Sequence, residues 1–132
     1  MDALKKVWNA LVYAVNGIGY GFISRKNVTV FVTVAVLVAI LLFWLGTSKI
    51  KFSIIMAAWL LTIIMEITNS AIEKIIDTLH PHYSEGIGHA KDMMAGAVLV
   101  AIVSAIAVTV LMIWDPLITK LFNISSAIQT VK

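Results

Sequence analysis

Glu66-Ile67-Thr68-Asn69-Ser70-Ala71-Ile72-Glu73 follows fourteen uncharged residues, Phe52–Met65, and how this stretch is read decides the fold. Glu66, Asn69, Glu73 and Asp77 recur at i, i+3, i+7 and i+11. A helix turns once in about 3.6 residues, so all four fall on one face. At about 1.5 Å per residue, Glu66 lies roughly 22 Å beyond Lys51, near the far edge of an apolar membrane core about 30 Å thick. A carboxylate at that depth is costly unless a cavity, a metal or a donor receives it, which makes the stretch a candidate functional site.

The rest of the chain supports the membrane setting. Of 132 residues, 61% are hydrophobic and 13% charged, with a mean hydropathy of +0.98. A soluble domain of this size could not hide so much apolar surface, so one compact integral membrane domain is expected. There is no cysteine, which excludes disulfides, thiolate nucleophiles and thiolate-bound metals. A net charge of +3 without any long basic run fits loops facing anionic lipid and argues against a nucleic-acid partner. The first residues lack a compact apolar core with a small-residue cleavage site, so no cleaved signal peptide is expected.

Residues 3–24 carry an apolar helical stripe of Leu4, Val7, Leu11, Val15, Ile18 and Phe22, with Lys5, Lys6, Asn9 and Asn16 mostly elsewhere. Residues 1–27 are therefore expected to form an amphipathic interfacial segment. Gly17, Gly19 and Gly21 are expected to interrupt it, by a bend or a close helix contact, since each weakens a helix by about 1 kcal/mol relative to alanine. The Gly-Ile-Gly-Tyr-Gly wording follows no strand and lacks the Lys-Ser/Thr ending of a phosphate loop.

Val28–Leu45 offers 18 uncharged residues and reads as a first span, closed by a turn at Gly46-Thr47-Ser48. A second helix is expected from about Lys49 to Leu79, ended by His80-Pro81. After a loop over 80–89, a third span should run from Ala90 to Trp114, with Asp115-Pro116 terminating it. Ala97, Ala101, Ala105 and Ser104 would give it a small-residue packing face. The three-span domain is thus 28–114, leaving 115–132 as a tail of unassigned role around Leu117, Leu121, Phe122 and Ile128. Three spans put Lys5, Lys6, Arg25, Lys26, Lys74 and Lys91 on one side and Lys49, Lys51, Lys120 and Lys132 on the other, a bias that favours the first side as cytoplasmic.

Hairpin topology brings the end of the second span beside the start of the third, so the acidic face should meet Lys91-Asp92 at one membrane surface. Carboxylates, an amide and a lysine are the parts that phosphoryl transfer uses, to orient a hydroxyl, hold Mg²⁺ and neutralise phosphate. A structural ion-pair network between two helices uses the same parts. His80, His82 and His89 are irregularly spaced and read as solvent-facing loop histidines. Trp8, Trp44, Trp59 and Trp114 read as interfacial anchors and packing. Tyr83 and Glu85 sit where a nucleotide contact is conceivable, though no spacing requires one.

Glu66-Ile-Thr-Asn69-Ser70-Ala71-Ile72-Glu73, Asp77, Ala90-Lys91-Asp92-Met93 and Ala95-Gly96-Ala97-Val98-Leu99 closely resemble the bacterial integral-membrane diacylglycerol kinase and undecaprenol kinase family. The resemblance spans roughly residues 5–114 without a gap between the blocks. It implies an all-α homotrimer, each chain giving a surface helix and three transmembrane helices, with sites shared between neighbouring subunits at the cytoplasmic face of the bacterial inner membrane. It implies transfer of the γ-phosphate of MgATP, a co-substrate, to a membrane lipid alcohol, diacylglycerol or undecaprenol, as in phospholipid metabolism. Glu66 would be the catalytic base, Asn69 a supporting polar residue, Glu73 a metal ligand, and Lys91 and Asp92 the nucleotide-binding pair.

One position departs from the family pattern. A second metal-binding glutamate is expected just before the first span, and Arg25 stands there, with no acidic residue between Asp2 and Glu66. Arginine cannot ligate Mg²⁺ but can contact phosphate oxygens. Arg25 therefore either takes over part of the charge neutralisation or marks an impaired member, a trimeric membrane protein kept for binding or structure. A transporter is disfavoured, because three spans cannot be split into repeated halves.

Overall fold

The computed structural model describes residues 2–24, 26–82 and 84–130. Four helices follow in order: α1 (Asp2–Ser24), α2 (Lys26–Leu45), α3 (Lys49–Leu79) and α4 (Glu85–Thr130). Among the described residues there is no strand, and α2, α3 and α4 are long and apolar enough to cross a membrane. Arg25 and Tyr83 lie outside the described residues.

Local chemistry fixes each boundary. Gly46 at φ +66° ends α2, where its N–H bonds Phe43 O at 3.1 Å and Thr47 N bonds Leu42 O at 3.2 Å. A left-handed residue here is best supplied by glycine, which has no Cβ to clash. Ser48 then caps α3, its hydroxyl accepting from Lys51 N at 3.4 Å. The expected bounds of α3 hold at both ends, the helix stopping at Leu79 before His80-Pro81.

Three expectations change. Gly17, Gly19 and Gly21 do not interrupt α1, which runs unbroken to Ser24. Gly21 is buried against α3, where a Cβ would meet Ile67 at 3.7 Å, an ordinary van der Waals distance, so the expected helix contact is present without requiring a glycine. Next, α4 starts at Glu85, five residues before Ala90. Ser84 supplies the cap, its hydroxyl accepting from Ile87 N at 3.4 Å and its carbonyl from Gly88 N at 3.0 Å, which outweighs the two glycines in the first turns.

The third change is the largest: Asp115-Pro116 does not end α4, which runs 46 residues in all with Pro116 inside. Proline lacks the N–H that would bond the carbonyl four residues earlier, which is Met112. Lys51 Nζ donates to that freed carbonyl at 3.3 Å. A second lysine, Lys120, sits 5.5 Å from the centre of the Trp44 ring and holds the next turn of α4 against the end of α2. The helix passes the proline because the lost bond is replaced from a neighbour.

The core is the α2–α3–α4 contact, centred on Ala35, Leu42, Ile55, Trp59 and Ala105. Small Ala105 on α4, fully buried, lets α3 approach closely. Two polar bridges join the same helices at mid-span. Trp59 Nε1–H donates to Thr109 Oγ1 at 3.1 Å, and Thr62 Oγ1 donates to Ala101 O at 3.3 Å. Only 28% of the most apolar window of α3 and 17% of that of α4 are buried, so most of their apolar surface is open to lipid or to other chains.

Candidate functional site

α3 carries the site because its phase turns the acidic face toward the bundle. Glu66 is 4% exposed and Asn69 7%, both among the few buried polar residues of the chain. Glu73 is half-buried and Asp77 exposed, so the face rises from the apolar core to the membrane surface over three turns. No hydrogen-bond donor among the described residues reaches the Glu66 carboxylate. One turn on, Asn69 Nδ2 donates to Glu73 Oε1 at 3.1 Å, while Asn69 Oδ1 is buried without a partner.

Lys91, near the start of α4, pairs with Asp77. Both side chains are partly exposed, and such a pair contributes no more than about 1 kcal/mol. Eleven residues separate Asp77 from Glu66, about 16 Å along the helix. The hairpin thus brings the sequence-predicted residues to one end of the molecule but divides them into two groups. Glu66, Asn69 and Glu73 form the deeper group, and Asp77 with Lys91 the outer one. Asp92 is exposed beside Lys91. Arg25, between α1 and α2, and Tyr83, between α3 and α4, lie outside the described residues.

A pocket of about 190 Å³ lies over the outer group, lined by Asp77, His80, Pro81, His82, Gly88 and Lys91. The three histidines are exposed, as expected, but His89 stands on α4 rather than in a loop, 3.9 Å from Glu85 one turn away. Their irregular spacing hid that His80 and His82 border the Asp77–Lys91 pair. A second cavity of about 280 Å³ runs between α1 and α3 and touches Gly17, Tyr20, Gly21, Ser70, Ala71 and Lys74. Sequence reasoning named none of its residues as a site. The nearest signal was the glycine cluster, of which Gly21 packs on Ile67 while Gly17 and Gly19 face open space.

Among the described residues no three His, Asp or Glu side chains converge as a closed metal cage. Glu73 and Asn69 Oδ1 are hard oxygen atoms one turn apart on α3. Mg²⁺ is commonly held in this way, by one or two protein oxygens, with waters and phosphate oxygens completing the octahedron. The same face can also polarise a hydroxyl, since the Glu66 carboxylate, with no donor among the described residues, is able to accept a proton.

Comparison with known proteins points the same way. The family model of prokaryotic diacylglycerol kinase matches residues 12–113. The diacylglycerol kinase of Escherichia coli K12 is 39% identical over 83 residues, covering 62% of this chain and 68% of that protein. That of Synechocystis is 34% identical over 110 residues, 81% of this chain and 62% of the relative. That of Haemophilus influenzae is 32% identical over 97 residues, 71% and 80% of the two chains. With three membrane-length helices and an acidic face ending one of them, this chain belongs to the prokaryotic diacylglycerol kinase family.

Proposed function

We propose that this chain is a lipid kinase of the inner bacterial membrane, moving the γ-phosphate of ATP to the hydroxyl of a membrane lipid at the cytoplasmic face. The observation that carries the reading is Glu66, a carboxylate 4% exposed at the end of a membrane span, with no donor of its own and the Asn69–Glu73 pair beside it. Keeping a carboxylate there costs stability that packing does not recover, which is the mark of a group retained for chemistry. Glu66 orients the lipid hydroxyl and takes its proton as the hydroxyl oxygen bonds to the γ-phosphorus, and the β–γ bridging oxygen leaves with ADP. Lys91 releases Asp77 to meet phosphate charge, and Asp92 faces the nucleotide from the same turn of α4. Glu73 and Asn69 Oδ1 would hold Mg²⁺, which supplies charge neutralisation on the phosphates.

In this reading α1 lies along the interface, guiding the lipid sideways while ATP arrives from water. The distance between the deeper and outer groups favours sites completed by a neighbouring copy in a trimer. The names of the relatives favour a glyceride over undecaprenol as the acceptor. The test is phosphate transfer from labelled MgATP to short-chain diacylglycerol and to undecaprenol by purified protein. Glu66→Gln is expected to lower turnover by about 10²- to 10⁴-fold, the usual size of a general-base contribution. Equal rates for the variant and the wild type would remove the proposal.

Arg25 supports a second reading, that of an impaired member kept for binding. Introducing Arg25→Glu separates the two. A large gain in MgATP turnover means that Arg25 is a loss, and abolition of a robust wild-type activity means that Arg25 replaces part of the metal charge.

A further inference from the structure

Thr62 stands one turn before Glu66 on the same face of α3 and is fully buried. Its hydroxyl lies 3.2 Å from Ala58 O within α3 and 3.3 Å from Ala101 O on α4. A hydroxyl has one proton, so the two carbonyls share it. Thr33, Thr68, Thr78 and Ser104 turn theirs back onto the carbonyl four residues earlier, the common outlet for a hydroxyl on a helix. Thr62 has that outlet too, so satisfying the hydroxyl does not require the reach to Ala101. What the reach adds is a directional tie between two helices.

Where that tie falls gives it a use. Lys51 to Met112 O, Trp59 to Thr109 and Asp77 to Lys91 also join α3 to α4. Counting about 1.5 Å per residue, these stand about 22, 10 and 16 Å from Glu66 along α3, and Thr62 about 6 Å. Around Thr62 the facing side of α4 is made of small residues, half-buried Ala97 and Ala101 and buried Ala105. Such residues let two backbones approach but present few knobs to resist sliding along the axis. A hydrogen bond does resist it, because the bond weakens steeply once its angle is lost.

We infer that Thr62 is a positioning residue, whose hydroxyl fixes the axial register of α4 against α3 and so sets the height of the Lys91-Asp92 turn relative to Glu66, Asn69 and Glu73 in every copy. The inference rests on the lipid-kinase reading for what the two helices bring together. In that reading α3 carries the base and α4 the groups that meet the nucleotide. A slide of one helix by a fraction of its rise per residue then moves the acceptor hydroxyl off the line to the γ-phosphorus. A displacement of about 1 Å, caused by a change away from the chemistry, can lower a rate about 100-fold.

Thr62→Val keeps the shape of the side chain and removes the hydroxyl, while Thr62→Ser keeps the hydroxyl. Transfer is read at saturating MgATP and short-chain diacylglycerol, beside unfolding in SDS. Thr62→Val is expected to lower kcat about 10- to 100-fold. Its SDS midpoint should stay near that of wild type, because both carbonyls keep their helical N–H partners. Thr62→Ser should restore most of the rate. Thr109→Val, which cuts the tie to Trp59, should do the opposite, lowering the SDS midpoint and sparing kcat. The chain has no cysteine, so nitroxides on Leu61→Cys and Leu111→Cys, both exposed positions, report the register without turnover when labelled chain is diluted with unlabelled. Their separation should shift by about 1 Å or more in Thr62→Val and return in Thr62→Ser. A wild-type rate in Thr62→Val overturns the inference, as does an equal fall of kcat in Thr109→Val or an unchanged separation. A shifted separation in a protein whose wild type transfers no phosphate removes the kinase reading and leaves the register role of Thr62 standing.

Discussion

Trp59 and Glu66, two buried polar side chains on α3, are handled in opposite ways. The Trp59 indole N–H is satisfied by Thr109, whose own hydroxyl passes to Ala105 O at 2.7 Å. Glu66 has no such chain of partners, and its carboxylate oxygens are not among the fully enclosed polar atoms of the described residues. Its replacement by the isosteric amide is therefore expected to leave resistance to unfolding in SDS within about 1 kcal/mol of wild type while destroying transfer. A variant that lost both stability and activity would mean that Glu66 is structural. The periodicity of the sequence was enough to place Glu66, Asn69 and Glu73 on one face, because a helix face is a local property. It could not show that Asp77 rather than a deeper carboxylate takes Lys91, since that choice depends on how α4 slides along α3. Nor could it show the Thr109 contact, which lies 50 residues from Trp59.

The helix α4 shows where a local rule yields to its surroundings. Proline after aspartate read as a stop, yet the helix goes on because Lys51, 61 residues away, donates to the carbonyl that Pro116 leaves open. That dependence gives a double-mutant test. Lys51→Met alone should cost about 1–3 kcal/mol, the cost of leaving a part-buried carbonyl unpaired. In a Pro116→Ala background the carbonyl regains a helical partner, so Lys51→Met should cost well under half as much, read from SDS unfolding curves of all four proteins. Strictly additive losses would dissociate the lysine from the proline. By contrast α3 was legible to the residue, since Ser48 and His80-Pro81 are local signals and nothing overrides them.

The assembled molecule leaves most of its span surface uncovered, and the site is divided along α3 into a deep and an outer part. If copies complete one another, co-expressing Glu66→Gln with Lys91→Met should give mixed assemblies that transfer phosphate when neither variant alone does. No recovery in verified mixtures would confine the reaction to one chain. Three membrane-length helices could be read directly from hydropathy, but copy number could not, because apolar surface meets lipid and protein alike. The polar ties within the chain are unevenly shared. α3 and α4 are fastened near one end by Lys51 to Met112, in the middle by Trp59 and Thr62, and near the other end by Asp77 to Lys91. Among the described residues, none of 3–22 makes a hydrogen bond to another helix. The α3–α4 pair is thus a laced spine, and over residues 3–22 the arm that α1 forms rests on it through greasy contacts, so a bilayer molecule slipping beneath that stretch leaves the lacing whole.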